Sequence, residues 1–314
     1  MILYWSFSVL SVVIFEKKSK SSFDGLMSKR AISLKDIMEK LYSRYNHRSL
    51  IKPDPLQFIY QYSNRADMEI VGFLGACLAY GRVQQIQKSL SCLLGYMGDS
   101  PFQFVHNFDT DKRKKLGNFK HRFTLGSDIS DLLGLLQNVL WEFGSIEKYF
   151  IQGYDPSDKN IIHALSKFCD SLLDMYASRQ KWHASRGLKY LLASPSGGSA
   201  CKRLNLFLRW MVRDDDVDTG LWKSVDKAKL IVPIDVHMGR LCRILGFFDQ
   251  KTISLKAAEK ITDCFAEIEP ADPVKYDFAL SRIGILKNCT GKVRDICEDC
   301  ELFDYCLRKE RLAD

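Results

Sequence analysis

Apolar residues recur at helical spacing along most of this chain, and alternating strand-like segments are hard to find apart from short runs such as Leu230-Ile231-Val232. Such a chain can bury its apolar stripes only by packing helix on helix, so the sequence predicts an all-α protein. Leu34, Ile37, Leu41 and Tyr45 share one side of a helix that Ser33 can cap, and a second helix begins after Pro53 or Pro55 and runs through Phe58, Ile59 and Tyr62. Asp67 to Ala79 reads as a buried helix, Tyr80-Gly81-Arg82 as a break, and Gln84 to Tyr96 as the next helix. Asp128 to Phe143 repeats the pattern, and further helices are expected over Asn160 to Met175, Ala200 to Val212, Val236 to Leu245 and Leu255 to Ile268. The 314 residues leave room for about two cores. The run DDDVDTG, Asp214 to Gly220, reads as an exposed acidic insertion at a domain border.

Ten cysteines fall into two populations. Cys77, Cys92, Cys169, Cys201, Cys242 and Cys264 stand singly and are read as small buried hydrophobes. Cys289, Cys297, Cys300 and Cys306 crowd into eighteen residues with seven, two and five residues between them. Four thiolates that close can wrap one metal centre, because a CxxC turn places two sulfurs on the same side and the longer arms bring the others round. Zinc modules favour two short knuckles, whereas one CxxC between longer arms is closer to a cubane-binding loop. The expected cofactor is therefore a [4Fe–4S] cluster, with Zn2+ as the alternative. Either needs reduced thiols, hence a cytoplasmic setting.

With 46% hydrophobic and 27% charged residues the chain is neither disordered nor collagen-like. Its 46 Lys and Arg against 38 Asp and Glu leave a formal +8, which favours a polyanionic partner. The distribution is uneven: Arg179 to Arg213 holds eight basic residues and no acid. Within it, Pro195-Ser196-Gly197-Gly198-Ser199 precedes a helix, and a glycine-rich turn at a helix N-terminus can present backbone N–H groups to an anion. Leu204, Phe207, Leu208 and Met211 form the core stripe of that helix, while Lys202, Arg209 and Arg213 share another face. Arg203 and Ser199 join these as candidate phosphate contacts. A second basic run, Lys112 to Arg122, interleaves cations with aromatics in Phe119-Lys120-His121-Arg122-Phe123, a mixture that suits nucleic acid and equally describes a solvated loop.

Asp235, directly before an amphipathic helix that ends at Gly246, is an N-cap by position. A carboxylate there can also orient a water or stabilise a developing cation. The apolar stretch Met1 to Phe15, followed by Lys17, Lys18 and Lys20, is shorter than the roughly 20 residues of a spanning helix and carries its charge after the apolar run. Residues 1–27 are set aside as a leader outside the fold, and no membrane partner is expected.

Taken in order, Pro195-Ser196-Gly197-Gly198 before a basic helix, Val232-Pro233-Ile234-Asp235-Val236-His237 and the terminal four-cysteine loop resemble the helix-hairpin-helix DNA glycosylase superfamily that includes endonuclease III. The strings SACKRLNLFLRWMVR and PIDVH are closer still to an uncharacterised bacterial family placed in that superfamily. The resemblance implies a two-lobed all-α fold: residues 66–213 as a helical-barrel lobe with the hairpin, 28–65 plus 230–314 as the cluster lobe, and 214–229 as the insertion. It implies double-stranded DNA as partner, no obligate protein partner, Asp235 as the carboxylate of base excision by N-glycosidic hydrolysis, and Tyr80 and Arg82 as residues that enter the space of a flipped base. Lys292 and Arg294 would touch the DNA backbone beside the cluster. Where bifunctional members carry a lyase lysine this chain has Ala200; Lys202, the remaining candidate nucleophile, stands two residues later, about 200° round a helix, and is read first as a phosphate contact. The alternatives are a non-catalytic nucleic-acid-binding protein and a zinc-stabilised helical interaction protein.

Overall fold

Side-chain caps start most of the helices. Asn64 Oδ1 accepts from Ala66 N, Ser100 Oγ from Gln103 N, Asp109 Oδ1 from Lys112 N and Ser254 Oγ from Ala257 N, each satisfying an N–H that the helix itself cannot. The computed structural model describes residues 34–180, 184–250, 252–286, 289–292 and 297–307. Ser33, the leader and Arg294 lie outside the described residues. Among those residues the fold is helical apart from one short hairpin. The elements are α1 (34–45), α2 (Arg65–Cys77), α3 (Val83–Met97), α4 (Pro101–His106), α5 (Thr110–Lys115), β1 (Lys120–His121), β2 (Thr124–Leu125), α6 (Gly126–Phe143), α7 (Ile146–Phe150), α8 (Ile162–Gln180), α9 (Arg186–Leu191), α10 (Lys202–Val212), α11 (Val236–Ile244), α12 (Leu255–Ile268) and α13 (Asp277–Leu286). The segment expected as a second helix is a 3₁₀ helix, Pro55–Gln61. None of the described helices is long and apolar enough to cross a membrane.

The chain divides into two units, one from His47 to Pro233 and one joining the described residues up to Asn46 with those from Ile234 onward. The borders differ from the expected ones: residues 47–65 and the whole of 214–229 belong to the larger unit. Its centre is α2, buried along nearly its whole length, with α10 packed against it. A methyl group at Gly72 would come within 2.8 Å of Met211 Cε, so glycine there permits the close approach. Phe73 meets Phe207 edge-on at 5.2 Å, and Phe207 meets Trp222 at the same distance. Buried Glu69 takes N–H bonds from Ile146, Glu147 and the Trp222 indole, which caps α7 and ties it to this core.

In the smaller unit α11 packs on α13, and Phe247 meets Phe265 of α12 at 5.0 Å. Glu39 of α1 accepts from Lys275 Nζ at 2.7 Å and from the Tyr276 hydroxyl at 2.6 Å. These bonds join α1 to the segment that leads into α13.

The run DDDVDTG is not an exposed insertion. Thr219 N and Trp222 N donate to the carbonyls of Trp210 and Met211, folding the run back over α10, and Val217 and Asp218 are buried. The physical reason is charge: Asp218 Oδ1 lies 3.2 Å from Arg209 Nε, and Arg213 Nη1 lies 2.5 Å from Asp218 Oδ2 and 2.8 Å from Asp215 Oδ2. Arg209 and Arg213, expected on a phosphate-facing surface, are each 2% exposed. They are therefore not phosphate contacts, and α10 is covered on both faces.

Candidate nucleic-acid interface

In the larger unit the break after α2 and the β1–β2 hairpin, far apart in sequence, come together. The hairpin pairs Lys120 with Leu125 and His121 with Thr124, leaving Arg122 and Phe123 as its turn. The Tyr80 hydroxyl donates to His121 O at 2.9 Å and lies 2.6 Å from Thr124 Oγ1. On the other side of the strand, buried His121 places Nε2 3.1 Å from Tyr80 O and Nδ1 2.8 Å from Ser89 Oγ. A carbonyl only accepts, so Nε2 carries the hydrogen and Nδ1 takes the serine hydroxyl. Gly81, at φ +93°, lets the Arg122 side chain lie across the loop, since a methyl there would meet Arg122 Nη1 at 2.7 Å.

Burial lowers the His121 pKa below its ordinary value, and the charges of Arg122 and Arg203 act in the same direction against hydrogen bonds to the Tyr80 and Leu78 carbonyls. The native state therefore holds this imidazole neutral, while the unfolded chain takes up a proton at about 6.5. The stabilisation is complete above that value and is lost as pH falls through it toward the lower folded pKa. His121→Gln is expected to flatten the fall in urea midpoint between pH 7 and pH 5. Equal slopes for the two proteins would show that His121 is not held neutral.

Beside the hairpin, Tyr80, Phe123 and Tyr190 form a three-ring cluster. The centroids lie 5.2 Å apart for Tyr80 and Phe123, 5.1 Å for Tyr80 and Tyr190 and 4.6 Å for Phe123 and Tyr190. Arg203 lays its guanidinium 4.1 Å from the Tyr190 centroid and 5.3 Å from that of Tyr80, with Nη1 donating to Cys77 O at 2.8 Å and Nη2 donating to Tyr190 O. Arg203 thus braces the cluster from within, where a phosphate contact was expected. Tyr80, expected to insert into nucleic acid, is half-buried with its hydroxyl engaged, and burial raises its pKa. The exposed ring is Phe123, the last residue of the Phe119 to Phe123 run and no candidate from sequence.

Around this cluster Arg82, Lys120 and Arg122 are exposed, and no ion pair involves them among the described residues. The first half of the Lys112 to Arg122 run differs. Lys112 pairs with Asp109, Arg113 with Asp131 and Lys114 with Asp111. The glycine turn is a 3₁₀ segment, Pro195–Gly197, with Gly198 left-handed at φ +78°. Gly197 and Gly198 are exposed, and a methyl on either would touch nothing within 4 Å. Ser199 Oγ accepts from Cys201 N at 3.1 Å, and Lys202 is partly exposed at the start of α10.

The other candidate residues lie in the smaller unit. Asp235 caps α11, its Oδ1 accepting from His237 N at 2.8 Å and Met238 N at 2.9 Å. Lys202 and Asp235 thus belong to different units. Cys289, Cys297, Cys300 and Cys306 are partly exposed thiols. Arg240 Nη1 donates to Cys289 O at 2.8 Å, Leu307 N to Ile244 O at 2.8 Å, and Glu301 accepts from Arg44 and Tyr45, so the loop is pinned to α11 and α1. Burial pushes the Cys300 thiol up, with Glu301, Cys289 and Cys297 near enough to add to it. Among the described residues no group of three or more His, Cys, Asp or Glu is gathered at metal-binding distances. The donor set itself, four soft sulfurs on a tethered loop, fits iron–sulfur or zinc. Lys292, in the same loop, is exposed.

A family model described as "Protein of unknown function (DUF2400)" matches residues 54–286. This corrects the expected membership in the helix-hairpin-helix glycosylases, because the family matched is a distinct one. The match ends before Cys289, so the cysteine loop lies outside it. No curated protein and no solved structure matches the chain.

Proposed function

The chain belongs to the DUF2400 family, which supplies no activity to transfer, and we propose from its geometry that it is a nucleic-acid-binding protein. The observation that carries this reading is the convergence of the α2–α3 break with the β1–β2 hairpin. Together they set three exposed cations, Arg82, Lys120 and Arg122, around an aromatic cluster whose outermost ring is open to solvent. Cations without internal acids gain most from phosphate, and aromatic faces gain from bases, so both halves of a nucleotide have a counterpart here. The Gly197-Gly198 turn adds nothing to this surface through its glycine amides, because Gly197 N and Gly198 N already donate to the Ser194 and Pro195 carbonyls at 3.2 and 2.8 Å. Cys289, Cys297, Cys300 and Cys306 would hold a [4Fe–4S] cluster, with zinc as the alternative, and the bound group would cross-link the C-terminal loop.

Base excision through Asp235 draws no separate support from the geometry, since the bonds Asp235 makes are those of a helix cap. Binding and excision separate in one experiment. Affinity for a labelled DNA oligonucleotide is measured against salt for the full-length protein and for Lys120→Gln and Arg122→Gln, and the same DNA is then analysed for released base. Each charge removed is expected to reduce the slope of log K against log salt by about 0.7 to 1. Slopes unchanged by both substitutions would remove this surface from the reading.

A further inference from the structure

Charge does not account for Phe123. It occupies the second position of the two-residue hairpin turn and is 51% exposed, although Phe119, four residues earlier, is 4% exposed in the core. Its ring is nonetheless held in place: Tyr190 meets it edge-on at 79°, and Tyr80 lies tilted at 31° behind it. Tyr80 is anchored through its hydroxyl to His121 and Thr124, and Tyr190 through the Arg203 guanidinium. The result is a braced aromatic face, open outward and flanked by Lys120 and Arg122.

Such a face fits a flat π-system attached to anions. Intact duplex cannot supply one, because each base is covered above and below by its neighbours and shows only its edges in the grooves. An unpaired base can, and its flanking phosphates would then fall among the cations. We infer that Phe123 is a stacking platform for an unpaired base, and that this surface selects single-stranded or locally unpaired nucleic acid over fully paired duplex. The inference rests on the nucleic-acid-binding reading above and names the substrate class for that site.

The test uses the full-length protein and fluorescence anisotropy on three labelled DNAs: a single strand, its fully paired duplex, and the same duplex with one bulged base. The single strand and the bulged duplex are expected to bind more tightly than the paired duplex. Phe123→Ala is expected to weaken those two by about tenfold, leave the paired duplex unchanged and lower the melting temperature by no more than a few degrees, the loss of its contacts with Tyr80 and Tyr190, so that the protein stays folded at the assay temperature. Phe123→Trp, which keeps a π-face, is expected to retain binding. Equal weakening on all three DNAs, or no weakening on any, overturns the inference. If Phe123→Ala has no effect while Lys120→Gln and Arg122→Gln still weaken binding, the platform falls and the nucleic-acid reading stands. If none of the three DNAs binds, both fall.

Discussion

Asp218→Ala is expected to destabilise the larger unit by about 3 to 5 kcal/mol, the cost of leaving a buried charge without its partner. Asp218 is 1% exposed and serves two guanidinium groups at once, Arg209 through Oδ1 and Arg213 through Oδ2. Burial pushes its carboxyl up to about 6 against the pull of both arginines, so at neutral pH it is ionised. Truncation leaves Arg209 and Arg213, each 2% exposed, facing a void where their main counter-charge stood. Asp215 remains 2.8 Å from Arg213 but also caps the loop through Val217 N and Asp218 N, so it offsets only part of the loss. Urea unfolding at pH 7 checks this. Replacing all three residues with apolar side chains of similar volume (Arg209→Met, Arg213→Met, Asp218→Leu) is expected to recover most of the stability. A single Asp218→Ala change costing less than about 1 kcal/mol would show that water enters and rescues the arginines.

The same triad shows where sequence reasoning stopped. The spacing of Lys202, Arg209 and Arg213 is a fact of helical geometry, but a helical wheel does not say whether a face meets solvent or another segment. The usable signal was local: a run of acids directly after a basic helix can fold back and neutralise it. Charge balance over neighbouring segments carries more information here than the basic count of Arg179 to Arg213 alone. The net positive balance available to a ligand therefore shifts to the α2–α3 break and the hairpin.

Strong periodic stripes with good caps were readable. Leu255 to Ile268 was expected as a helix and α12 has those bounds, with Ser254 as its cap; Asp235 was expected to cap the next helix upstream and does. Elements of six residues or fewer, such as α4, α5, α7, α9 and the hairpin, are too short for a period to show. The ten-residue α13 escaped for another reason: its less buried positions, Ser281, Gly284, Ile285 and Leu286, are mostly small or apolar while Asp277 and Arg282 are buried, so it has no polar stripe to mark its turn. Phe123 escaped because a phenylalanine in sequence reads as core, and only the hairpin register separates it from Phe119. The site is assembled from segments some forty residues apart, with Tyr190 and Arg203 further still, and one sequence carries no signal of that proximity.

Cys300→Ala is expected to abolish metal binding and to give the largest loss of stability of any single change in the smaller unit. Four-thiolate centres contribute an apparent ~10 to 16 kcal/mol in small metal domains, as much as a typical domain's whole stability. The loop that would hold the centre is tied to α11 by Arg240 and by Leu307 N, and to α1 by Glu301, so metal loss is transmitted to those helices. Protein purified without oxygen is expected to contain about four iron atoms per chain and to absorb broadly at about 400 nm. Cys300→Ala should lose both and melt at a lower temperature. Cys242→Ala is the control: this thiol is 0% exposed on α11, burial holds its pKa well above the ordinary value, and its removal is expected to cost about 1 kcal/mol and leave the iron in place. A colourless wild type with one zinc per chain would assign the loop to zinc. A metal-free wild type whose melting temperature is unchanged by Cys300→Ala would end the metal-centre proposal, because the thiols would then contribute nothing that an alanine does not.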